Sequence, residues 1–117
     1  EEMRMAALLQ KVHLLDSTAV SAKDVFQMGT VNGGNLLGLP IGVLDSGYRA
    51  DFFTLSLGRL ELHPLQNLTN NMVYAFSPAT LEDVFVDGKK VFSKGTLLTV
   101  PEEKIVEGVR RVTQGWV

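Results

Sequence analysis

Ile41 to Leu57, IGVLDSGYRADFFTLSL, is the stretch whose reading decides the fold. It predicts a short strand, a tight turn and a longer strand. Asp45-Ser46-Gly47 supplies the turn, because glycine tolerates positive φ and Asp and Ser side chains bond nearby backbone. Beyond it, Asp51 to Leu57 alternates: Phe53, Leu55 and Leu57 on one face, Phe52, Thr54 and Ser56 on the other. A period of two with aromatic and β-branched residues is the pattern of a strand. A second hairpin is predicted downstream, where Leu81 to Val86 runs into Asp87-Gly88 and Lys89 to Phe92 runs back. Asp-Gly between two apolar runs favours the turn whose twist matches paired strands. The two long strands are expected in one mostly antiparallel sheet. Leu55 and Val84 or Val86 should face its core, since fixed register keeps one face buried.

Helical patterns flank this region. Met5, Leu8, Leu9, Val12 and Leu15 recur at helical spacing and predict an amphipathic helix over about the first fifteen residues. Ser21 and Asp24 resemble a capping box opening a second helix, through Val25, Met28 and Val31 to about Leu37. Gly29, Gly33 and Gly34 are costly inside a helix and point to close backbone packing. Gly38 suits the residue after the helix, and Pro40 blocks continuation. Gly58 to Leu68 is expected to be a loop and Met72 to Phe76 a short strand ended by Ser77-Pro78. Lys94-Gly95 should turn the chain into Thr96 to Val100. A last helix should open at a Thr99–Glu102 capping box, with Pro101 in its first turn and a stripe of Ile105, Val109, Val112 and Trp116.

The 117 residues suffice for one ordinary domain. A 45% hydrophobic and 21% charged composition is that of a globular protein, and a net charge of −2 draws the chain to neither nucleic acid nor anionic membrane. Without cysteine there is no disulfide, thiolate nucleophile or Cys-ligated zinc, which fits a reducing compartment; the cytoplasm is the expectation. No apolar run approaches the ~20 residues of a membrane span. Glu-Glu-Met-Arg at the start is no signal peptide. Because the sequence starts inside a helical pattern, a piece of a longer chain is expected.

Few residues offer chemistry. His13 and His63 lie fifty residues apart, with no His-x-His and no His-Glu-x-x-His, whereas catalytic zinc needs about three protein ligands. His13 sits among apolar helix neighbours, and His63, before Pro64, is expected in an exposed connector. Asp51 and Asp87 are the most suggestive carboxylates, yet both sit at turn–strand junctions where Asp bonds local backbone. Gly33-Gly34-Asn35 with Gly38 lacks the preceding strand of a phosphate loop. Asn67-Leu68-Thr69 matches a glycosylation sequon without a secretory signal, and Arg110 and Arg111 fall off the apolar stripe on a solvated face. No catalytic, cofactor-binding or metal residue is assigned. The residues alone describe an α+β module without a site of its own.

The order of motifs adds to this. EEMRMAALLQK, TVNGGNLLGL, IGVLDSGYRADFFTLSL, MVYAF, VFVDGKKVFSKGTLLT and PEEKIVEGVRR together resemble the C-terminal part of metal-dependent amidohydrolases, in the chlorohydrolase and deaminase branch. Within it, enzymes deaminating S-adenosylhomocysteine and methylthioadenosine look most similar. The resemblance implies a fragment: terminal helices of a (β/α)8 barrel plus the C-terminal share of a small β-sandwich. Residues 1–40 would be the last barrel helices, 41–100 the sandwich portion, and 101–117 a helix packing back on the barrel. It also implies that a divalent metal, zinc or iron, is held by residues preceding Glu1, that this chain alone is inactive, and that its partner is the remainder of the barrel. Gly34 stands where a small residue such as Ala is common in the family. With the sandwich incomplete, an open sheet edge should favour homo-oligomers. The alternative is a free-standing β-rich interaction module without enzymatic activity.

Overall fold

Ser21 and Asp24 form the predicted reciprocal cap. Asp24 N–H donates to Ser21 Oγ at 3.2 Å, and Ser21 N–H donates to Asp24 Oδ2 at 2.9 Å. In the computed structural model, which describes residues 1–116, this cap opens α2 (Ala22–Met28) after α1 (Glu2–Leu14). The second helix does not run on to Leu37. It breaks at Gly29-Thr30 and restarts as α3 (Val31–Leu37), ended by Gly38 at φ 65. Thr30 leaves helical geometry, and its hydroxyl donates back to Phe26 O at 2.8 Å instead of capping α3.

The break follows from a close backbone approach. A Cβ on Gly42 would lie 2.5 Å from Thr30 C and O, and one on Gly34 would lie 2.5 Å from Ile41 O. Two glycines from opposite sides let α3 and the 41–42 segment interlock. The packing reading of Gly34 therefore holds.

That interlock also removes the first predicted hairpin. Gly42 has φ 85, a left-handed conformation that interrupts an extended run. Residues 41–50 instead form turns, with Arg49 N–H donating to Pro40 O at 2.7 Å and Tyr48 N–H to Asp45 O at 3.2 Å. The Asp45-Ser46-Gly47 turn is present; its first strand is not. The longer strand survives as β1 (Phe52–Leu55).

The sheet has four antiparallel strands in the order β1-β2-β3-β4, with β2 at Leu81–Val86, β3 at Lys89–Ser93 and β4 at Thr96–Leu97. Asp87 (φ 52) and Gly88 (φ 75) make the predicted two-residue turn, and Lys94 (φ 46) and Gly95 (φ 90) make a second of the same kind. Phe52 stacks on Phe85 at 4.5 Å between ring centroids, on one face of the β1–β2 pair. The other face pairs Phe53 with Val84. Leu55 and Val84 are only half-buried, Val86 is exposed, and neither face of β1 is fully covered.

Met72 to Phe76 is helical rather than extended. Asn67 Oδ1 accepts from Asn70 N–H at 3.0 Å and starts a single turn, α4 (Leu68–Asn70), that continues as a π-helical turn over Asn71–Ala75. The preceding loop contains a 3-10 turn, Leu60–Leu62, whose Leu62 is fully buried. The fully assembled core is small: Ala7 of α1, Ala22 and Val25 of α2 and Val73 of the π turn, flanked by Met3, Ala6, Val20, Phe26 and Tyr74.

The last helix, α5, spans Glu102–Thr113. Thr99 does not cap it. The Glu102 carboxylate accepts from Leu97 N–H at 3.2 Å, tying the helix start to β4. Glu102 and Glu103 in its first turn and Arg110 and Arg111 in its last complement the helix dipole. The predicted helix extends to Val117, which lies outside the described residues.

Candidate functional site

The two histidines stay on separate elements. His13 is exposed near the end of α1, and His63 is exposed in the loop before Pro64, its Nδ1 3.0 Å from Arg59 O. Among the described residues, no group of three or more His, Asp or Glu side chains is placed to hold a metal ion.

Asp51 binds backbone, but not locally. Its Oδ1 accepts from Asp87 N–H at 2.5 Å, while Ala50 O accepts from Gly88 N–H at 3.0 Å. The 50–51 dipeptide thus clasps the tip of the β2–β3 hairpin. The sequence predicts local bonds because Asp51 follows a turn; antiparallel pairing of β1 with β2 carries it to the hairpin tip instead.

A polar cluster on the sheet escapes the sequence reading. Asp83 Oδ2 accepts from Lys90 Nζ at 2.8 Å, and Asp83 Oδ1 accepts from Ser93 Oγ at 2.6 Å. Lys90 Nζ also lies 5.3 Å from the Phe85 ring centroid. The hydrogen bond from Lys90, then that from Ser93, hold the Asp83 carboxyl below the ordinary aspartate value. The signal is hidden by a bulge. Simple counting back from Asp87-Gly88 sets Asp83 opposite Phe92, but the register shifts between Val84 and Phe85 and sets it opposite Ser93.

Asn67 is exposed and occupied as a helix cap, and Asn71 Nδ2 donates to Leu62 O at 2.5 Å and to Pro64 O at 3.0 Å. These are bonds that fix a loop, with no nucleophile–base pair among them. Gly33 and Gly34 lie inside α3, with Gly34 against Ile41, so they form no phosphate cradle.

What the arrangement does offer is apolar surface. A cleft of about 590 Å³ lies between the helical layer and β1, lined by Phe26, Val43, Phe52, Phe53, Leu55 and Met72 with Thr30 and Asp51 at its polar points. The predicted stripe of α1 is exposed, up to 70% at Val12 and 91% at Leu15, because α1 meets its neighbours through Ala7 instead. On α5, Ile105, Val109 and Val112 are exposed, and so is Trp116, which the sequence places on the same stripe but which lies beyond the helix end at Thr113. Accessible surface totals 8845 Å². A self-contained domain of this mass exposes about 6,300 Å². The Cα radius of gyration is 17.6 Å, against about 13 Å for a self-contained domain of this length. No helix is long and apolar enough to cross a membrane among the described residues.

Comparison with known proteins fits this geometry. The sequence pattern of the amidohydrolase family matches residues 1–91. The 5-methylthioadenosine/S-adenosylhomocysteine deaminase of Halalkalibacterium halodurans is 42% identical over 106 residues, covering 90% of this chain and 24% of that protein. That of Pyrococcus furiosus is 39% identical over 113 residues, 97% of this chain and 27% of the relative. The 5'-deoxyadenosine deaminase of Methanocaldococcus jannaschii is 37% identical over 107 residues, 92% and 25% respectively. Among solved structures, a zinc-bound adenosine deaminase from Xanthomonas campestris superposes with TM-score 0.87 at 29% identity, over 94% of this chain and 26% of its own. Zinc-complexed atrazine chlorohydrolase from Arthrobacter aurescens shares the fold, with TM-score 0.83 at 21% identity, over 95% and 25%. The chain spans about a quarter of the length of the curated relatives it matches.

Proposed function

The chain belongs to the amidohydrolase family, and from that premise we propose that it is the C-terminal structural portion of an enzyme that hydrolytically deaminates a purine-type substrate. The substrate class is an adenosine analogue such as S-adenosylhomocysteine or methylthioadenosine, which the names of its relatives support. Residues 1–40 supply terminal barrel helices, 41–100 a share of a β-sandwich, and 101–117 a helix docking on the barrel. The partner is the remainder of the barrel, and the whole assembles as a homo-oligomer.

One observation carries the structural role. The excess accessible surface is about 2,500 Å² over a self-contained domain, and the exposed apolar surface includes the α1 stripe, the α5 stripe and the cleft beside β1. Burying apolar surface at about 25 cal/mol per Å² is the dominant drive to associate, so these faces suit the rest of a barrel.

The described residues do not fit a catalytic metal, since His13 and His63 stand on separate elements and no group of three or more His, Asp or Glu side chains comes together among them. The zinc or iron of the proposed enzyme belongs to other parts of it, and no reaction step is assigned to residues here. Reading the coding region upstream of Glu1 tests the proposal: a barrel with His-x-His near its start is expected, and an unrelated domain there would favour a free-standing interaction module. Elemental analysis and ammonia release on the 117-residue chain test its inactivity. A tightly bound equivalent of metal with turnover would overturn it.

A further inference from the structure

We infer that Asn32 is a site of spontaneous deamidation, through attack by the backbone nitrogen of Gly33. The inference is independent of the proposed function. Three observations place it there. Asn32 is exposed, whereas Gly34, two residues on, is buried. Asn32 is followed by glycine, and the other asparagines are followed by Leu36, Leu68, Asn71 and Met72. A side chain on the following residue crowds the attacking nitrogen, and Gly33 has none. Finally, the amide of Gly33 precedes the first bonded amide of α3. Gly34 N–H is the one that reaches Thr30 O, at 3.1 Å. The first N–H groups of a helix lack intrahelical acceptors, so this nitrogen is not held in the helix ladder.

The helix around it opens easily. α3 has seven residues, two of them adjacent glycines, and no side-chain cap, because the Thr30 hydroxyl is committed to Phe26 O. Gly is the poorest helix former after Pro, and short helices hold by packing rather than by propensity.

The chemistry balances with water alone. The Gly33 nitrogen loses its proton to base and bonds to Asn32 Cγ, and the side-chain amine leaves as ammonia. The five-membered imide then takes up one water at either carbonyl, giving aspartate or isoaspartate. The aspartate product sits in the first turn of α3, where negative charge is favoured by the helix dipole. The isoaspartate product adds a methylene to the main chain two residues before Gly34, whose α-carbon has no room for an added carbon against Ile41 O. That product must part α3 from the 41–42 segment.

The test incubates the purified chain for days under native, mildly alkaline conditions. Peptide mapping follows the amide-to-acid mass gain, and isoaspartyl methyltransferase labelling reports the rearranged product. Gain and label confined to Asn32 are expected, abolished in N32Q. A Cβ on Gly33 meets only Met28 O, at an ordinary 3.8 Å, so G33A keeps the fold; its helix propensity alone should slow the reaction about fivefold. Reaction spread evenly over Asn35, Asn67, Asn70 and Asn71, or a G33A rate equal to that of the parent chain, would overturn the inference. Far-UV circular dichroism on each variant confirms that the rates compare folded proteins.

Discussion

Gly42 and Gly47 offer a controlled measurement of the interlock between α3 and the segment after it. Both have nearly the same positive φ, 85 and 88. Their surroundings differ completely: a Cβ on Gly47 meets nothing within 4 Å, while one on Gly42 meets Thr30 C and O at 2.5 Å and Val31 N at 2.8 Å. Substituting alanine at either position adds the cost of a left-handed L-residue, about 1–2 kcal/mol. At Gly42 the added carbon also strikes backbone that cannot rotate away, which adds about 1–3 kcal/mol as overpacking. G42A should therefore cost about 2–5 kcal/mol against about 1–2 for G47A. In urea unfolding followed by circular dichroism, a slope of about 1–3 kcal/mol per molar turns the difference into a midpoint gap of about 1 M. Equal midpoints for the two variants would refute the close approach of Gly42 to Thr30, and with it the reason given for the missing hairpin.

Removing the carboxylate in D51A should leave the Asp87 N–H without its acceptor and destabilise the hairpin tip by about 1–3 kcal/mol, with faster hydrogen exchange at Asp87; D51N should restore part of the protection. Asp83 is held below the ordinary aspartate value of 3.8 chiefly by the Lys90 hydrogen bond. A depressed folded-state pKa contributes stability above the unfolded value that is lost as pH falls through the folded one. D83N should therefore flatten the acid limb of the stability–pH curve below the ordinary aspartate range while changing its neutral-pH shape little, and an unchanged acid limb would count against the cluster. In the proposed full-length deaminase, truncation before Pro101 should lower the melting temperature more than turnover per folded enzyme, read by calorimetry alongside ammonia release. Turnover lost at unchanged stability would place α5 in the reaction rather than in the scaffold.

What the sequence makes legible is what depends on adjacent residues. Ser21 with Asp24, Gly38 after α3, and the Asp87-Gly88 and Lys94-Gly95 turns each act within four residues, and each forms. Most of the errors arise where distant backbone intervenes, the strand reading of Met72 to Phe76 and the Thr99 cap being the local ones. Ile41 to Leu44 has a strand's composition, but Gly42 lies against Thr30 and adopts positive φ. Met72 to Phe76 is apolar enough for a strand, but Asn67 caps a helical turn before it. Asp51, Asp83 and Ser93 acquire their partners through strand register, and a bulge makes one register invisible to counting. The stripes of α1 and α5 are amphipathic as read, yet periodicity says only that a face wants cover, not whether the cover lies in the same 117 residues.

The two tight turns of the sheet also set an order of events in time. Strands β2, β3 and β4 occupy consecutive segments from Leu81 to Leu97 and meet through loops of two residues. Hairpins of this kind close in about 1–10 μs, since almost no chain must be organised first. Strand β1 must instead find β2 across all the residues from Ser56 to Thr80, which include the Leu60–Leu62 turn and the π-helical turn. Closing that longer loop costs more entropy, and contacts distant in sequence slow folding. The meander is thus a local nucleus to which β1 is recruited, with the Asp51 clasp closing last over a turn already made. In pulse-labelled hydrogen exchange, the amides joining β2 to β3 should gain protection before Ser56 N–H, which bonds Thr80 O at 2.9 Å. Simultaneous protection would mean that the sheet condenses as one unit.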